Sequence, residues 1–161
     1  MKHWKDLAPH QVGRVGRSLV ADELNRRGAL ATLTNTTRTR VAVVAMHPDT
    51  SRTVNILVKT KRVKVWQWNI DKAEAAQQAA EDDFLILVDL QPSEPAYYIV
   101  RLRDAAKRKV EVHNAWLKSI GGRRPNTPDS KHTAIPVEDV EAGKDAWHIL
   151  GVIPDAGEAR K

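Results

Sequence analysis

Hydrophobic side chains recur about every 3.6 residues in three segments of the chain, and each segment is flanked by residues that start or stop helices. The first segment follows a proline and ends at a glycine. The second begins with an acidic pair at the spacing of a capping box. We therefore predict three helices. They cover residues 10–27, ended by Gly28; residues 72–80, capped by Asp71 with Glu74; and residues 104–120, capped by Asp104 and ended by Gly121 and Gly122.

Short runs of β-branched and aromatic residues between these helices are typical of strands. Residues 41–46 form an uninterrupted apolar run, as in a buried strand. A His-Pro-Asp-Thr-Ser turn separates this run from residues 54–60, so the two should form a hairpin. Residues 84–90 and 97–102 should be neighbouring strands, and with residues 29–34 they bring the predicted total to five.

The order of elements is helix, three strands, helix, two strands, helix, which suits a mixed sheet flanked by helices. The length fits one α/β domain, expected over residues 10–150 with tails at 1–9 and 151–161. Residues 123–136 are polar and contain prolines, so we predict a loop there, followed by a helical turn at 136–141. The apolar residues expected to dock the C-terminal part onto the core are Trp147, Ile149 and Leu150.

Composition excludes several kinds of site. The chain has no cysteine, which rules out disulfides, thiolate zinc sites and a cysteine nucleophile. No apolar run approaches the roughly 18 residues of a membrane span, and the N-terminus lacks a signal-peptide core, so we expect a cytoplasmic protein with no membrane contact.

Charge is unevenly distributed along the sequence. Residues 1–64 carry thirteen Lys or Arg against four Asp or Glu, and residues 101–131 carry nine against three. Residues 71–94, between them, carry one basic residue against seven acidic ones. Basic blocks of this kind are compatible with solvated surface, but they also favour a polyanionic partner, DNA or RNA.

Short motifs give the sequence a family likeness. Val15-Gly16-Arg17-Ser18 lies on the first helix, residues 40–45 form the second strand, and Ile56-Leu57-Val58-Lys59-Thr60 forms the third, with Trp66 after it. In these motifs the chain resembles the PD-(D/E)XK, or restriction-endonuclease-like, superfamily of nucleases. The resemblance implies a mixed central sheet of about five strands flanked by helices. Further similar pieces are Asp82-Asp83-Phe84, Tyr97-Tyr98-Ile99-Val100 and the loop with Asn126, Asp129, Ser130 and His132.

The resemblance also implies that a metal site has been lost. In the superfamily two acids hold a divalent cation through oxygen ligands, and a lysine helps to polarise the attacking water. Here Lys59 is kept, but Ala42 (or Val41, in a register shifted by one) replaces the strand Asp, Leu57 the second acid and Arg17 the helix Glu. These side chains cannot bind magnesium. We therefore expect no cofactor and a catalytically inactive, nuclease-like protein.

Loss of the acids would leave a basic cleft. Arg17 reverses the charge of the Glu it replaces, and alternation places Lys59 and Lys61 on one face of their strand. Such a cleft would contact backbone phosphates without reading sequence. Trp66 and Trp68 are predicted to be structural, with base stacking as the alternative. The candidate nucleic-acid-binding residues are Arg17, Arg38, Arg40, Lys59, Lys61, Arg62, Lys64, Arg123 and Arg124.

Two other functions remain open. Pro48-Asp49 followed by Leu57-Val58-Lys59 forms a PD…xxK string, so a relocated acid such as Asp49 or Glu23 would make the chain an active Mg²⁺-dependent endonuclease. Against this, Asp is ordinary in a turn, and Asp49 has no second acid beside it. The other alternative is a protein-interaction module, or a subunit that acts as a homodimer or beside an active enzyme.

Overall fold

The computed structural model describes residues 4–34, 41–122, 126 and 130–155. The helices are α1 (Pro9–Arg26), α2 (Ile70–Ala76) and α3 (Leu102–Ser119), and short 3-10 turns cover Trp4–Asp6, Val137–Asp139, Glu141–Gly143 and Trp147–Leu150. The strands are β1 (Leu30–Leu33), β2 (Val43–Met46), β3 (Thr53–Lys61), β4 (Trp66–Asn69), β5 (Asp83–Asp89), β6 (Ala96–Arg101) and β7 (His132–Ile135).

Five strands form the central sheet in the order β1-β2-β3-β5-β6. The β3–β5 pair is parallel and the other three pairs are antiparallel, so the predicted mixed sheet, the β2–β3 hairpin and the β5–β6 neighbours are confirmed. β5 lies inside the sheet and is buried on both faces, which explains its nearly continuous apolar sequence.

Each face of the sheet has its own core. α1 packs on one face, where Val20 and Leu24 meet Ile56 and Phe84. α2 and α3 cover the other face, where Leu85 and Leu87 meet Trp66 and Trp68. α1 ends as predicted, because Gly28 adopts the left-handed conformation with φ +96°.

A second sheet of two strands, β4 and β7, lies against the core of α2 and α3. The prediction of a loop over 123–136 was therefore wrong for residues 132–135. Thr133 and Ile135 alternate into the core and pair with Trp68 and Trp66. A four-residue strand that follows a proline-containing segment has too short an alternation to stand out before its partner is known.

Two helices begin earlier than their sequence signals suggested. α2 is capped by Asn69, whose side chain accepts a hydrogen bond from the Lys72 amide at 3.2 Å, so the assignment of Asp71 as N-cap was wrong. α3 begins at Leu102, before Asp104. In both cases the helix starts where a strand ends, so the strand boundary fixes the helix start.

The C-terminal part docks as expected. Trp147 and Leu150 are buried in the core under α1, and Val152 and Pro154 beyond them are buried as well. Among the described residues, no helix has the length and apolar character needed to span a membrane.

Candidate functional site

A β-bulge decides which side chain of β2 faces Leu57. Val43 is the register partner of Ile56, yet the Ala42 amide also donates to the Ile56 carbonyl, at 2.8 Å. Two residues thus oppose one, and the alternation shifts by a residue. Ala42 turns into the core under α1, whereas Val41 and Leu57 line the same cavity on the other face. Val41, not Ala42, therefore shares a cavity with Leu57.

This cavity, which we call the motif cavity, has a volume of about 220 Å³. Its walls are mainly apolar, and α2 contributes alanines to them. One carboxylate lines it, that of Asp83, which accepts hydrogen bonds from Asn55 Nδ2 at 3.1 Å and from the Ala80 amide at 3.2 Å. Across the described part of the chain, no group of three or more His, Cys, Asp or Glu residues could hold a metal ion.

Lys59 lies on the same face of β3 as Leu57 but is held against the small sheet. Its Nζ donates to the Gln67 carbonyl at 3.0 Å and lies 5.5 Å from the centre of the Trp68 ring. Burial, and secondarily the nearby charge of Lys72, lower the pKa of Lys59 to about 8. Lys59 is thus a half-buried amine, in contact with β4, whose charge is lost near pH 8.

Lys61 is buried, with 3% of its surface exposed. Its Nζ lies 2.9 Å from Asp89 Oδ2 and donates to Gln91 Oε1 at 3.0 Å and to the Val63 carbonyl at 3.1 Å. These three acceptors satisfy the three protons of an ammonium. The expectation that Lys61 faces an open cleft is therefore wrong, because acceptors inside the fold bind its ammonium.

The two lysines pair with two tryptophans. Lys61 Nζ lies 4.7 Å from the centre of the Trp66 ring, and Lys59 contacts the Trp68 ring in the same way. Two residues with a spacing of two on β3 thus contact two residues with the same spacing on β4. Trp66 also donates from Nε1 to the Val88 carbonyl at 2.9 Å. Both tryptophans are buried, which supports the structural role predicted for them.

The other candidate cations are dispersed. Gly16 contacts Thr60, so α1 and Arg17 lie on the face of β3 opposite Lys59. Arg62 donates from Nη1 to the backbone carbonyls of Lys5, at 3.1 Å, and of Leu7. Lys64, two residues on, is exposed. The remaining candidates, Arg38, Arg40, Arg123 and Arg124, lie outside the described residues.

The two relocated acids considered from sequence do not line the motif cavity. Asp49 is exposed in the turn between β2 and β3, where its amide is hydrogen-bonded to His47 Nδ1 at 3.1 Å. Glu23 on α1 forms an ion pair with Arg27 at 2.9 Å. Asp83, which does line the cavity, was noted in the sequence only as part of a strand opening. Only the folded register shows that it faces Asn55.

No family model and no curated protein matches the sequence. Solved structures do match. Hjc, a Holliday junction resolvase from the archaeal hyperthermophile Archaeoglobus fulgidus, superposes with a TM-score of 0.53 at 14% identity, over 86% of this chain and 95% of that chain. A bacterial homing endonuclease superposes with a TM-score of 0.50 at 11% identity, over 89% and 92%. At such low identity these likenesses show a shared fold.

Proposed function

Because this chain has the restriction-endonuclease-like fold of the PD-(D/E)XK nucleases, we propose that it binds nucleic acid through backbone phosphates and does not cut it. The observation that carries the proposal is the motif cavity. Val41 and Leu57 line it together, at the positions where the superfamily pattern has two acids. Aliphatic side chains offer no oxygen ligand, so Asp83 is the one carboxylate left in the lining, where the superfamily pattern uses a pair of acids to hold the cation.

The binding half of the proposal is supported by cations at one end of the sheet. Arg62 contacts the segment just before α1, and Gly16 lies over Thr60, so α1 runs antiparallel to β3 and its first turns lie near the turn 62–65. That end carries the exposed Arg14 and Lys64, and neither has a hydrogen bond or ion pair with a described residue. Cations free of carboxylate partners can contact phosphates.

The structural neighbours add a second line of support. One is by name a Holliday junction resolvase and the other a homing endonuclease, so both act on DNA. The fold alone does not transfer that activity, because function depends on the site that a fold carries. For this chain the neighbours favour DNA or RNA as the partner, and the motif cavity argues against cleavage.

The test is a salt series of binding to labelled duplex DNA, single-stranded DNA and RNA, with and without Mg²⁺, in which cleavage is scored in the same samples. We expect binding that weakens steeply with salt and leaves the strands intact. Replacing Arg14 and Lys64 together by Gln should make the slope of log K against log salt shallower, by the amount that corresponds to the loss of about two phosphate contacts. The matched control replaces Lys118 and Lys144, two exposed lysines elsewhere, by Gln.

Two results would contradict the proposal. Mg²⁺-dependent cutting that Lys59→Ala abolishes would favour the endonuclease with a relocated acid, and Asp83→Asn, Asp49→Asn and Glu23→Gln would then identify that acid. If the protein retains no nucleic acid at a physiological ionic strength of about 0.15 M, the proposed binding function is wrong.

A second candidate, a subunit or interaction module, is favoured by one surface. Val112 and Trp116 on the last turns of α3 and Ile120, the residue that follows the helix, are 40%, 44% and 38% exposed and spaced four residues apart. Exposed apolar side chains that share a face mark contact surfaces in many proteins. Sedimentation over a range of concentrations tests this candidate. A homodimer that Trp116→Lys dissociates, while Lys118→Glu leaves it intact, would support it.

A further inference from the structure

A second cavity, separate from the motif cavity, lies between α3 and the small sheet, and we call it the α3 cavity. Its volume is about 170 Å³. A cavity of this size has room for on the order of ten water-sized groups, which is about the size of one nucleobase. Its lining is mainly apolar, from Trp68, Leu85, Val100, Ala105, Ile135 and Val140.

Four charged side chains complete the lining. Asp104 and Arg108 are exposed and mark the mouth, while Asp139 is half-buried. Lys109 is buried, and its Nζ donates to the Ala134 carbonyl. Burial and the nearby Arg108 lower the pKa of Lys109, and Asp139 partly offsets this shift. Lys109 donates one proton to the fold and lies near Asp139, so a ligand meets the two carboxylates, Arg108 and the remaining protons of Lys109.

This combination selects a particular chemistry. Apolar walls and an indole suit a flat ring, and carboxylates can only accept hydrogen bonds. A ring that enters would therefore present N–H donors toward Asp104 and Asp139, as the amino groups of adenine, cytosine and guanine can. Thymine and uracil have no amino group and would turn carbonyl oxygens toward at least one carboxylate. Arg108 at the mouth can pair with a phosphate attached to the ring's sugar.

We propose that the α3 cavity binds one amino-bearing nucleobase, either in a free nucleotide or in an unpaired nucleotide of a strand. For the strand-borne nucleotide the inference rests on the proposed nucleic-acid binding, and it adds a base-reading element to it. A base leaves a duplex at a cost that is smallest where it is already unpaired. The cavity would thus favour bulges, mismatches and single strands over perfect duplex.

The test uses the full chain at about 0.15 M salt. dAMP, dCMP, dGMP and dTMP are titrated while the NMR signals of the Trp68 indole and the Ala105 amide are followed. We expect saturable shifts with the first three nucleotides and at least tenfold weaker binding of dTMP. Ala105→Leu, which fills the cavity, should weaken binding at least tenfold. Ala115→Leu, an exposed site on the same helix, is the matched control and should change nothing.

A second arm identifies the source of the base. A duplex with one bulged cytosine should bind at least fivefold tighter than the perfect duplex, and Ala105→Leu should erase the difference. Binding of free nucleotides without a bulge preference would support the site for the free ligand. Asp104→Asn with Asp139→Asn should remove the discrimination against dTMP, and this double variant, which adds no bulk to the cavity, tests the site even if Ala105→Leu fails to fold.

Two outcomes would overturn the inference. One is the absence of saturable shifts with any nucleotide together with equal binding of bulged and perfect duplex. The other is binding of N-acetyltryptophanamide but of no nucleotide, which would make the cavity a pocket for a protein side chain. Salt-dependent binding to perfect duplex would survive either outcome, so failure here is distinct from failure of the proposed function. Conversely, loss of duplex binding leaves the nucleotide titration as an independent result.

Discussion

The amine of Lys59 lies 5.5 Å from the centre of the Trp68 ring and donates to the neighbouring Gln67 carbonyl at 3.0 Å. Lys59 therefore fastens the small sheet to the central sheet. An ammonium has three protons, and one hydrogen bond leaves others for a phosphate. The residue can combine a structural contact with a weak role in binding.

The pKa of about 8 for Lys59 predicts a pH effect on binding. Its charge is lost as the pH rises from 7 to 9, so any phosphate contact that it makes should weaken over that range. Lys72→Gln should raise the pKa of Lys59, because one of the two causes of the shift is removed. NMR titration of the Lys59 side-chain carbon next to Nζ measures both values. A midpoint unchanged by Lys72→Gln would contradict this account.

The same shift predicts a trend in stability. The pKa of Lys59 is lower in the folded state, about 8, than its ordinary value of 10.5, so the unfolded state binds more protons between these values. The protein should gain stability relative to Lys59→Met as the pH rises from 8 to 10. Urea unfolding of both proteins at several pH values checks the sign. A constant difference would show that burial does not perturb this amine.

The buried pair of Lys61 and Asp89 should be sensitive to the loss of one partner. Asp89→Asn leaves a buried ammonium without its carboxylate, which costs about 3–5 kcal/mol in comparable cases. The matched control is Asp82→Asn, which breaks an exposed pair with Arg52 and should cost less than about 1 kcal/mol. Urea unfolding compares the two, and equal losses would contradict the buried assignment.

Gly16 is required by the contact between α1 and β3. A Cβ at this position would lie 1.7 Å from Thr60 Oγ1, whereas a Cβ at Gly13 finds its nearest neighbour at 3.7 Å. Gly16→Ala should therefore destabilise the protein by about 1–3 kcal/mol or more, and Gly13→Ala should stabilise it by about 0.5–1 kcal/mol. Adding Thr60→Ala to Gly16→Ala should recover part of the loss. Thermal unfolding of the four proteins is the measurement.

Introducing two acids into the motif cavity should create a cation site. Val41→Asp with Leu57→Glu places two carboxylates on one cavity that Asp83 already lines. We expect Mn²⁺ to raise the melting temperature of this double variant but not of the parent protein. Ala42→Asp with Leu57→Glu is the matched control, because Ala42 turns into the opposite core and cannot share the ion. An equal response of both variants would contradict the bulge.

Local pattern predicted most of the fold. Periodicity and turn residues place α1, the β2–β3 hairpin and the β5–β6 pair, because each depends on neighbours in sequence. The small sheet escaped prediction because β4 and β7 find their partners more than about sixty residues apart. Alternation alone cannot reveal such a pairing when a strand has only four residues.

The candidate site was predicted in part. The resemblance identified Leu57 and Lys59 as positions of interest, but whether Ala42 or Val41 faces them depends on a bulge that leaves no mark in the sequence. The sequence predicts that Lys61 is a surface cation, because its neutralising partner, Asp89, lies on β5, which only the parallel pairing brings alongside. The residue type indicates that a side chain is charged, and the sheet register decides which groups that charge contacts.

The pairing of β4 with β7 also affects how the molecule forms. β4 and β7 are separated in the sequence by α2, β5, β6 and α3, so their pairing closes a long loop. The entropy cost of closing that loop is offset only once those elements have folded. The segment of α1, β1, β2 and β3, whose elements follow one another in sequence and pair as neighbours, can form first. Closing this loop brings Ile135 into the wall of the α3 cavity, so this cavity is expected to open by local unfolding well before the central sheet does.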